Sequence, residues 1–209
     1  MLMNLELYGY GESVASNMAR VALSEKKLTY KYNLIYLESK GDHLNKEYKK
    51  LNPKNLVPTL VDDGNPIPDS IQIMRHIDQK YSHQGEELFP NNVDINVFDK
   101  LLDFVALDEN KDLGDTLGTT AGGISAPLLV KMLCKRSLIS IIWDYVTKHS
   151  IKKRVPIFIL LRILGKPPTS LNKKMTIMLA QHLITIEAAL NHQKEFMMGD
   201  KYTAIDCCM

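Results

Sequence analysis

The feature that most constrains this chain is how its hydrophobic period changes along the first eighty residues. Asn4 to Tyr8 alternates, with Leu5 and Leu7 on one side, and reads as a strand. Gly9, Gly11 and Ser13 break the alternation. Val14, Met18, Val21 and Ala22 then recur at helical spacing on one face. Tyr30, Tyr32 and Leu34 alternate again, while Leu44, Tyr48 and Leu51 mark a short helix stopped by Asn52-Pro53. Thr59 to Asp62 reads as a third strand. The Asp63-Gly64 turn leads through Pro66-Ile67-Pro68 into a fourth, an edge strand because proline cannot donate to a ladder. Ser70 opens a helix with Ile71, Met74, Ile77 and Tyr81 facing inward.

The resulting order, β-α-β-α-β-β-α, is that of an α/β thioredoxin-like N-terminal domain over residues 1–82. The polar stretch 83–93, with Gly85 and Pro90, reads as a linker. Residues 94–209 read as an all-α C-terminal domain. Ile95, Phe98, Leu102 and Val105 mark one helix in the region 94–112. Met175, Leu179, His182, Leu183, Ile186 and Leu190 mark another. The Gly-rich stretch Gly114 to Gly123 has no GK[ST] ending of a phosphate loop and is read as a flexible connection.

Composition narrows the class. The 209 residues suffice for a substantial core. The three cysteines, Cys134, Cys207 and Cys208, form no CxxC and have no histidine at metal-ligand spacing, so no metal is expected. The first residues lack a basic region followed by an apolar run, so no signal peptide is read and a cytoplasmic location is expected. Net charge is +2, but residues 126–175 hold 11 Lys or Arg against the single acid Asp144. That basic, apolar insertion near 126–166 is either extra packed helices with their cations in water or an amphipathic element making weak contact with a membrane surface. No nucleic acid is expected, because no aromatic interleaving accompanies the charge.

Three spots in the first domain carry chemistry. Ser13-Val14-Ala15-Ser16 keeps the spacing of a CxxC but supplies hydroxyls. A helix N-terminus offers free N–H groups and a positive dipole end, so it favours an anion such as a thiolate. With no cysteine there, the sulfur arrives on a ligand, unless Ser13 is only an N-cap. In Asn55-Leu56-Val57-Pro58-Thr59, a cis proline would present the Val57 backbone to an extended peptide. At Asp69-Ser70, Ser70 would cap the third helix and offer N–H groups to a carboxylate, while Asp69 receives an ammonium.

Leu7-Tyr8, Ser13, Arg20-Val21-Ala22-Leu23, Leu51-Asn52-Pro53, Val57-Pro58-Thr59-Leu60 and Asp69-Ser70-Ile71, in that order, resemble the N-terminal domain of glutathione transferases, in the layout of the serine-type zeta, theta and phi classes. The resemblance covers residues 4–81. It implies that Ser13 stabilises the glutathione thiolate, that Val57 and Pro58 hold the cysteinyl backbone, and that Asp69 and Ser70 hold the γ-glutamyl end. Asn55 or Lys54 would reach the glycine carboxylate. Glutathione would be the co-substrate, a small electrophile its partner, detoxification the role, and a homodimer the assembly. Zeta enzymes carry Ser-Ser-Cys where this chain has Ser13-Val14-Ala15, so their isomerase reaction is not expected, nor is the reductive dehalogenation that needs a cysteine at Ala15. Family members more often have Glu or Gln at Asp69, which keeps the charge one methylene shorter.

Tyr202-Thr203-Ala204-Ile205-Asp206 resembles the family's capping box at the start of a central C-terminal helix. The chain stops at Met209, so the C-terminal domain is expected to be incomplete. Stringent starvation protein A, which binds RNA polymerase, is similar around Thr203 to Cys207. A non-catalytic binding or regulatory module therefore stands as the alternative to an enzyme. A thioredoxin-fold oxidoreductase is a third reading, and the missing CxxC argues strongly against it, because serine cannot form the disulfide.

Overall fold

The computed structural model describes residues 4–108, 110–152, 155–190 and 195–209. Lys153 and Arg154 of the basic insertion lie outside the described residues. Four strands form one sheet: β1 (Leu5–Gly9), β2 (Lys31–Leu34), β3 (Thr59–Asp62) and β4 (Asn65–Pro68), in the spatial order β2-β1-β3-β4. β1 pairs parallel with β2 and antiparallel with β3, and β3 pairs antiparallel with β4. The register sets Tyr8 opposite Thr59 and Thr59 opposite Pro68. The C-terminal end of β1, the N-terminal end of β3 and the C-terminal end of β4 therefore meet at one edge. Both outer strands are short, and β4 carries its two prolines, as an edge strand can.

The helices α1 (Val14–Glu25), α2 (Lys46–Leu51) and α3 (Ser70–Lys80) complete the first half. Which face each helix buries differs from the simple periodic reading. In α1 the buried residues are Met18, Ala19, Ala22 and Leu23, whereas Val21 is exposed. In α3 they include Ile73 beside Met74 and Ile77. The reason is that α1 packs against α3 and also against helices of the second half, so its buried arc is wider and rotated. A buried pair ties these parts together. The fully buried Lys26 ammonium donates to Asp78 at 2.9 Å and to the Glu86 carbonyl at 2.9 Å. The Asp78 carboxylate also accepts from the Leu88 and Phe89 N–H groups, both at 3.0 Å.

The second half is helical: α4 (Ile95–Val105), α5 (Leu117–Ile124), α6 (Ala126–Leu133), α7 (Leu138–Thr147), α8 (Val155–Leu164), α9 (Thr169–Leu190) and α10 (Ala204–Cys207). One core spans both halves: Leu7, Leu23, Leu60, Met74 and Ile77 cluster with Phe98, Leu102, Val105, Leu117 and Ile186. α4 ends at Val105, and its Ile95 is exposed. The Gly-rich stretch is not a flexible connection. It forms α5, whose N-terminus is closed by the Thr116–Thr119 capping box. A side chain at Gly118 would stand 2.6 Å from the Ala106 carbonyl oxygen, so the small residue permits close helix packing.

The insertion forms α6, α7 and α8 around a second cluster of Val130, Leu133, Ile141, Tyr145, Val155 and Leu161, joined by Leu44 from the first half. Near the C-terminus, Asp206 accepts from the Thr203 N–H at 2.8 Å and hydroxyl at 2.9 Å, the expected capping pair. The short α10 is buried against α1 and α4.

Candidate functional site

The loop after β1 is tightened by Ser16, which is fully buried and accepts the Tyr10 N–H at 3.2 Å. Ser13 donates its N–H to the Tyr10 carbonyl at 3.0 Å and occupies the N-cap of α1 with extended dihedrals (φ −83°, ψ 119°). Its hydroxyl oxygen accepts from the Ser16 N–H at 3.3 Å. That bond uses a lone pair and leaves the hydroxyl proton for a partner outside the helix. The Val14 and Ala15 N–H groups have no hydrogen-bond partner among the described residues. Ser13 is half-buried, so it is both an N-cap and a hydroxyl at a helix N-terminus.

The Val57-Pro58 peptide bond is cis. The residues around it are held by a network that sequence reading missed. Tyr48 donates its hydroxyl to the Leu56 carbonyl at 2.6 Å, and the Asn52 amide donates to the same oxygen at 2.8 Å. Both also reach the Thr59 hydroxyl, at 3.1 and 3.2 Å. Burial pushes the Tyr48 hydroxyl up to about 12, against the pull of Thr59 and Asn52, so it stays a donor. The Val57 N–H and C=O have no partner among the described residues, so this backbone is available to pair. The only sequence signal for the network was Leu51-Asn52-Pro53, read as a helix stop.

Asp69 joins the same edge: its N–H donates to the Pro58 carbonyl at 3.3 Å. Here the expectation needs correction by one residue. Asp69, not Ser70, is the N-cap of α3, and its Oδ1 accepts from Ile71 and Gln72 N–H groups at 2.9 and 3.1 Å. A carboxylate caps better placed donors than Ser70, which is the first helical residue and is buried against Met18. Asp69 has φ +76° and ψ 135°, a region that costs a non-glycine residue on the order of 1–3 kcal/mol. Such strain persists only where the surrounding structure over-determines the backbone, here by the Pro58 carbonyl and the cap of α3.

Asn55 is not brought to that edge. It is 1% exposed, its amide donates to the His43 carbonyl at 2.8 Å, and its oxygen accepts from the Ser150 hydroxyl at 2.6 Å. A residue so occupied joins the two halves and cannot reach a carboxylate. Lys54 is exposed. From the second half, α6 reaches the loop after β1: the Tyr10 hydroxyl donates to the Met132 sulfur at 3.2 Å. Burial, aided by Glu12, pushes the Tyr10 hydroxyl up to about 12. A separate hollow of about 490 Å³ lies between β1 and α2, beside Tyr8, Ile35 and Lys50, and holds none of the expected site residues. Burial raises Cys207 to about 12 and Cys208 as well, so neither offers a thiolate. Among the described residues no three His, Cys, Asp or Glu are grouped to hold a metal, and no helix is long and apolar enough to cross a membrane.

Val57, Pro58 and Asp69 thus lie at the end of the sheet from which the loop carrying Ser13 leaves β1, with Ser70 buried behind Asp69. Comparison with known proteins bears on the first domain. Residues 13–80 match the family model described as glutathione S-transferase, N-terminal domain. Glutathione S-transferase Z1 of Arabidopsis thaliana is 42% identical over 77 residues, which are 37% of this chain and 34% of that protein. A maleylacetoacetate isomerase of Dictyostelium discoideum is 39% identical over 85 residues, 40% of this chain and 38% of that one. The chain therefore matches little more than a third of these relatives' length. Among solved structures, the beta-etherase LigF from Sphingobium sp. strain SYK-6 superimposes with a TM-score of 0.81 at 18% identity, covering 98% of this chain and 80% of that one. Human glutathione-S-transferase T1-1 gives a TM-score of 0.60 at 18% identity, covering 98% and 70%. These two likenesses speak to the fold alone. Residues 13–80 thus match a glutathione S-transferase N-terminal domain in sequence, and with β1 they form a four-stranded sheet with flanking helices.

Proposed function

We propose that this protein is a glutathione transferase that activates the glutathione thiol for attack on a small electrophile. The observation that carries this reading is the Ser13 hydroxyl at the N-cap of α1, beside the Val14 and Ala15 N–H groups, which have no partner among the described residues. A thiol that titrates near roughly 8.5 in water is lowered substantially at a helix N-terminus. The thiol proton leaves to solvent, and Ser13 donates to the resulting anion. The thiolate then forms a carbon–sulfur bond, and the electrons displaced from the electrophile go to its leaving group or its π system. Val57 would pair its backbone with the cysteinyl residue, as one strand pairs with another. Asp69 would take the γ-glutamyl ammonium, and the start of α3 at Ser70 its carboxylate. The glycine end is assigned no residue, since Asn55 is engaged elsewhere.

Replacing Ser13→Ala tests this. A hydrogen bond to a charged sulfur is worth about 1.5–3 kcal/mol, so kcat/KM with a general electrophile should fall by roughly 10- to 100-fold. Glutathione affinity should change far less. The ultraviolet absorbance of bound thiolate should titrate at higher pH. Unchanged turnover would remove Ser13 from the mechanism. Retention on immobilised glutathione without turnover would favour the non-catalytic reading, in which the Ser150–Asn55 tie and the insertion serve a binding role. A homodimer and a cytoplasmic location belong to this proposal on the family resemblance.

A further inference from the structure

The insertion carries apolar surface on the wrong side for a packed helix pair. α7 buries Ile141 and Tyr145, and α8 buries Val155 and Leu161. Each helix also has a second apolar stripe facing the opposite way. On α7 it is Ile139, Trp143 and Val146, at 82%, 66% and 51% exposure; on α8 it is Ile157, Leu160 and Ile163, at 55%, 54% and 62%. The spacings i, i+4, i+7 and i, i+3, i+6 put each set on one face. Because α7 and α8 pack against one another, the two stripes lie on neighbouring helices. An ordinary surface helix has one such face, not two.

The charge around the stripes has one sign. Exposed lysines mark the helix ends: Lys135 before α7, Lys148 after it and Lys166 after α8. The insertion's one acid, Asp144, is already bound by Arg136 and, at 2.6 Å, by Lys148. Residues 126–175 hold no other acid to balance these cations. This combination decides among partners. A second copy of the chain would bring the same lysines against these, and like charges repel. A nucleic acid would answer the lysines but not the aliphatic stripe. An anionic bilayer surface answers both, with headgroup charges for the lysines and the acyl boundary for the isoleucines and leucines. It also suits Trp143, whose ring fits the interface between the two.

We propose that the outward faces of α7 and α8 form an interfacial docking surface for an anionic lipid membrane. The two ten-residue helices lie on the surface and do not cross it, since a ten-residue helix reaches about 15 Å against a hydrocarbon core of about 30 Å. This proposal is independent of glutathione chemistry at the other site.

The single tryptophan of the chain stands on the proposed face, so its emission reports contact directly. Purified protein is titrated with phosphatidylcholine vesicles, with and without phosphatidylserine. With phosphatidylserine, Trp143 emission should shift to the blue, be quenched by acyl-brominated lipid and lose the effect in high salt. The Lys135→Gln and Lys166→Gln changes should each weaken binding roughly fivefold. Leu160→Asn should weaken it further, with the thermal melt unchanged because the residue is exposed. No shift on anionic vesicles at low salt overturns the proposal. So does equal binding to neutral vesicles, or a blue shift that grows with protein concentration alone, which would make the face an interface between copies.

Discussion

His43 makes the stability of this protein sensitive to mild acid. The residue sits in a 3₁₀ turn (Asp42–Leu44), 2% exposed, where the first half meets the insertion. Its ring lies 6.2 Å from that of His149 and 6.4 Å from that of Tyr145. Its Nδ1 is buried with no hydrogen-bond partner. Burial lowers it to about 3, helped by His149 and Arg136 and opposed by the Tyr36 backbone and by Asp144. The folded value lies below the ordinary 6.5, so the unfolded chain takes up the proton first. Stability is therefore full above pH 6.5 and is lost as the pH falls from there toward 3. Between pH 7.5 and pH 5 the linkage amounts to about 1.5 pH units for this group, or ~2 kcal/mol. Urea unfolding followed by circular dichroism, at both pH values, measures it in the parent and in His43→Phe. The substitution removes the titration and keeps an aromatic ring among the aromatic neighbours. The parent should lose about 2 kcal/mol more than the variant over that interval, whatever the variant's stability at pH 7.5. Parallel losses in the two proteins would show that His43 takes up its proton in the folded state and would refute the reasoning.

Two further predictions rest on contacts within the core. Asp78→Ala leaves the buried Lys26 ammonium without its carboxylate, and also frees the Leu88 and Phe89 N–H groups; a loss of about 3–5 kcal/mol is expected in denaturant unfolding, and one under about 1 kcal/mol would contradict it. Gly85 has φ +59°, and a Cβ there would lie 2.0 Å from the Glu25 carbonyl oxygen, so Gly85→Ala should cost at least about 1–3 kcal/mol, read as a lowered melting temperature.

Much of the first half was legible from the letters, because its signals are local. Alternation over four or five residues, prolines on an edge strand and a cap ahead of a helix act between near neighbours in the chain. The four strands, α1 to α3, the cis Val57-Pro58 bond and the Thr203–Asp206 cap followed from such patterns. The strand order also brings Pro58 and Asp69 to one end of the sheet, where the loop that carries Ser13 leaves β1. Local patterns could not say what lies on the far side of a helix or turn. Val21 fits the inward stripe of α1 by spacing yet is exposed, because packing against α3 and the second half turns the buried arc toward Ala19 and Leu23. Asn55 looked free to meet a ligand, but its partner Ser150 is 95 residues away in sequence. Gly118 and Gly123 of α5 look flexible in one dimension and prove to be points of close packing in three. The amino-acid sequence by itself determined the order of elements and the residue types at the helix starts, since those depend on forces a few residues in range. Only the tertiary structure decided which polar side chains remain available for chemistry, because that depends on partners brought close by folding of the whole chain.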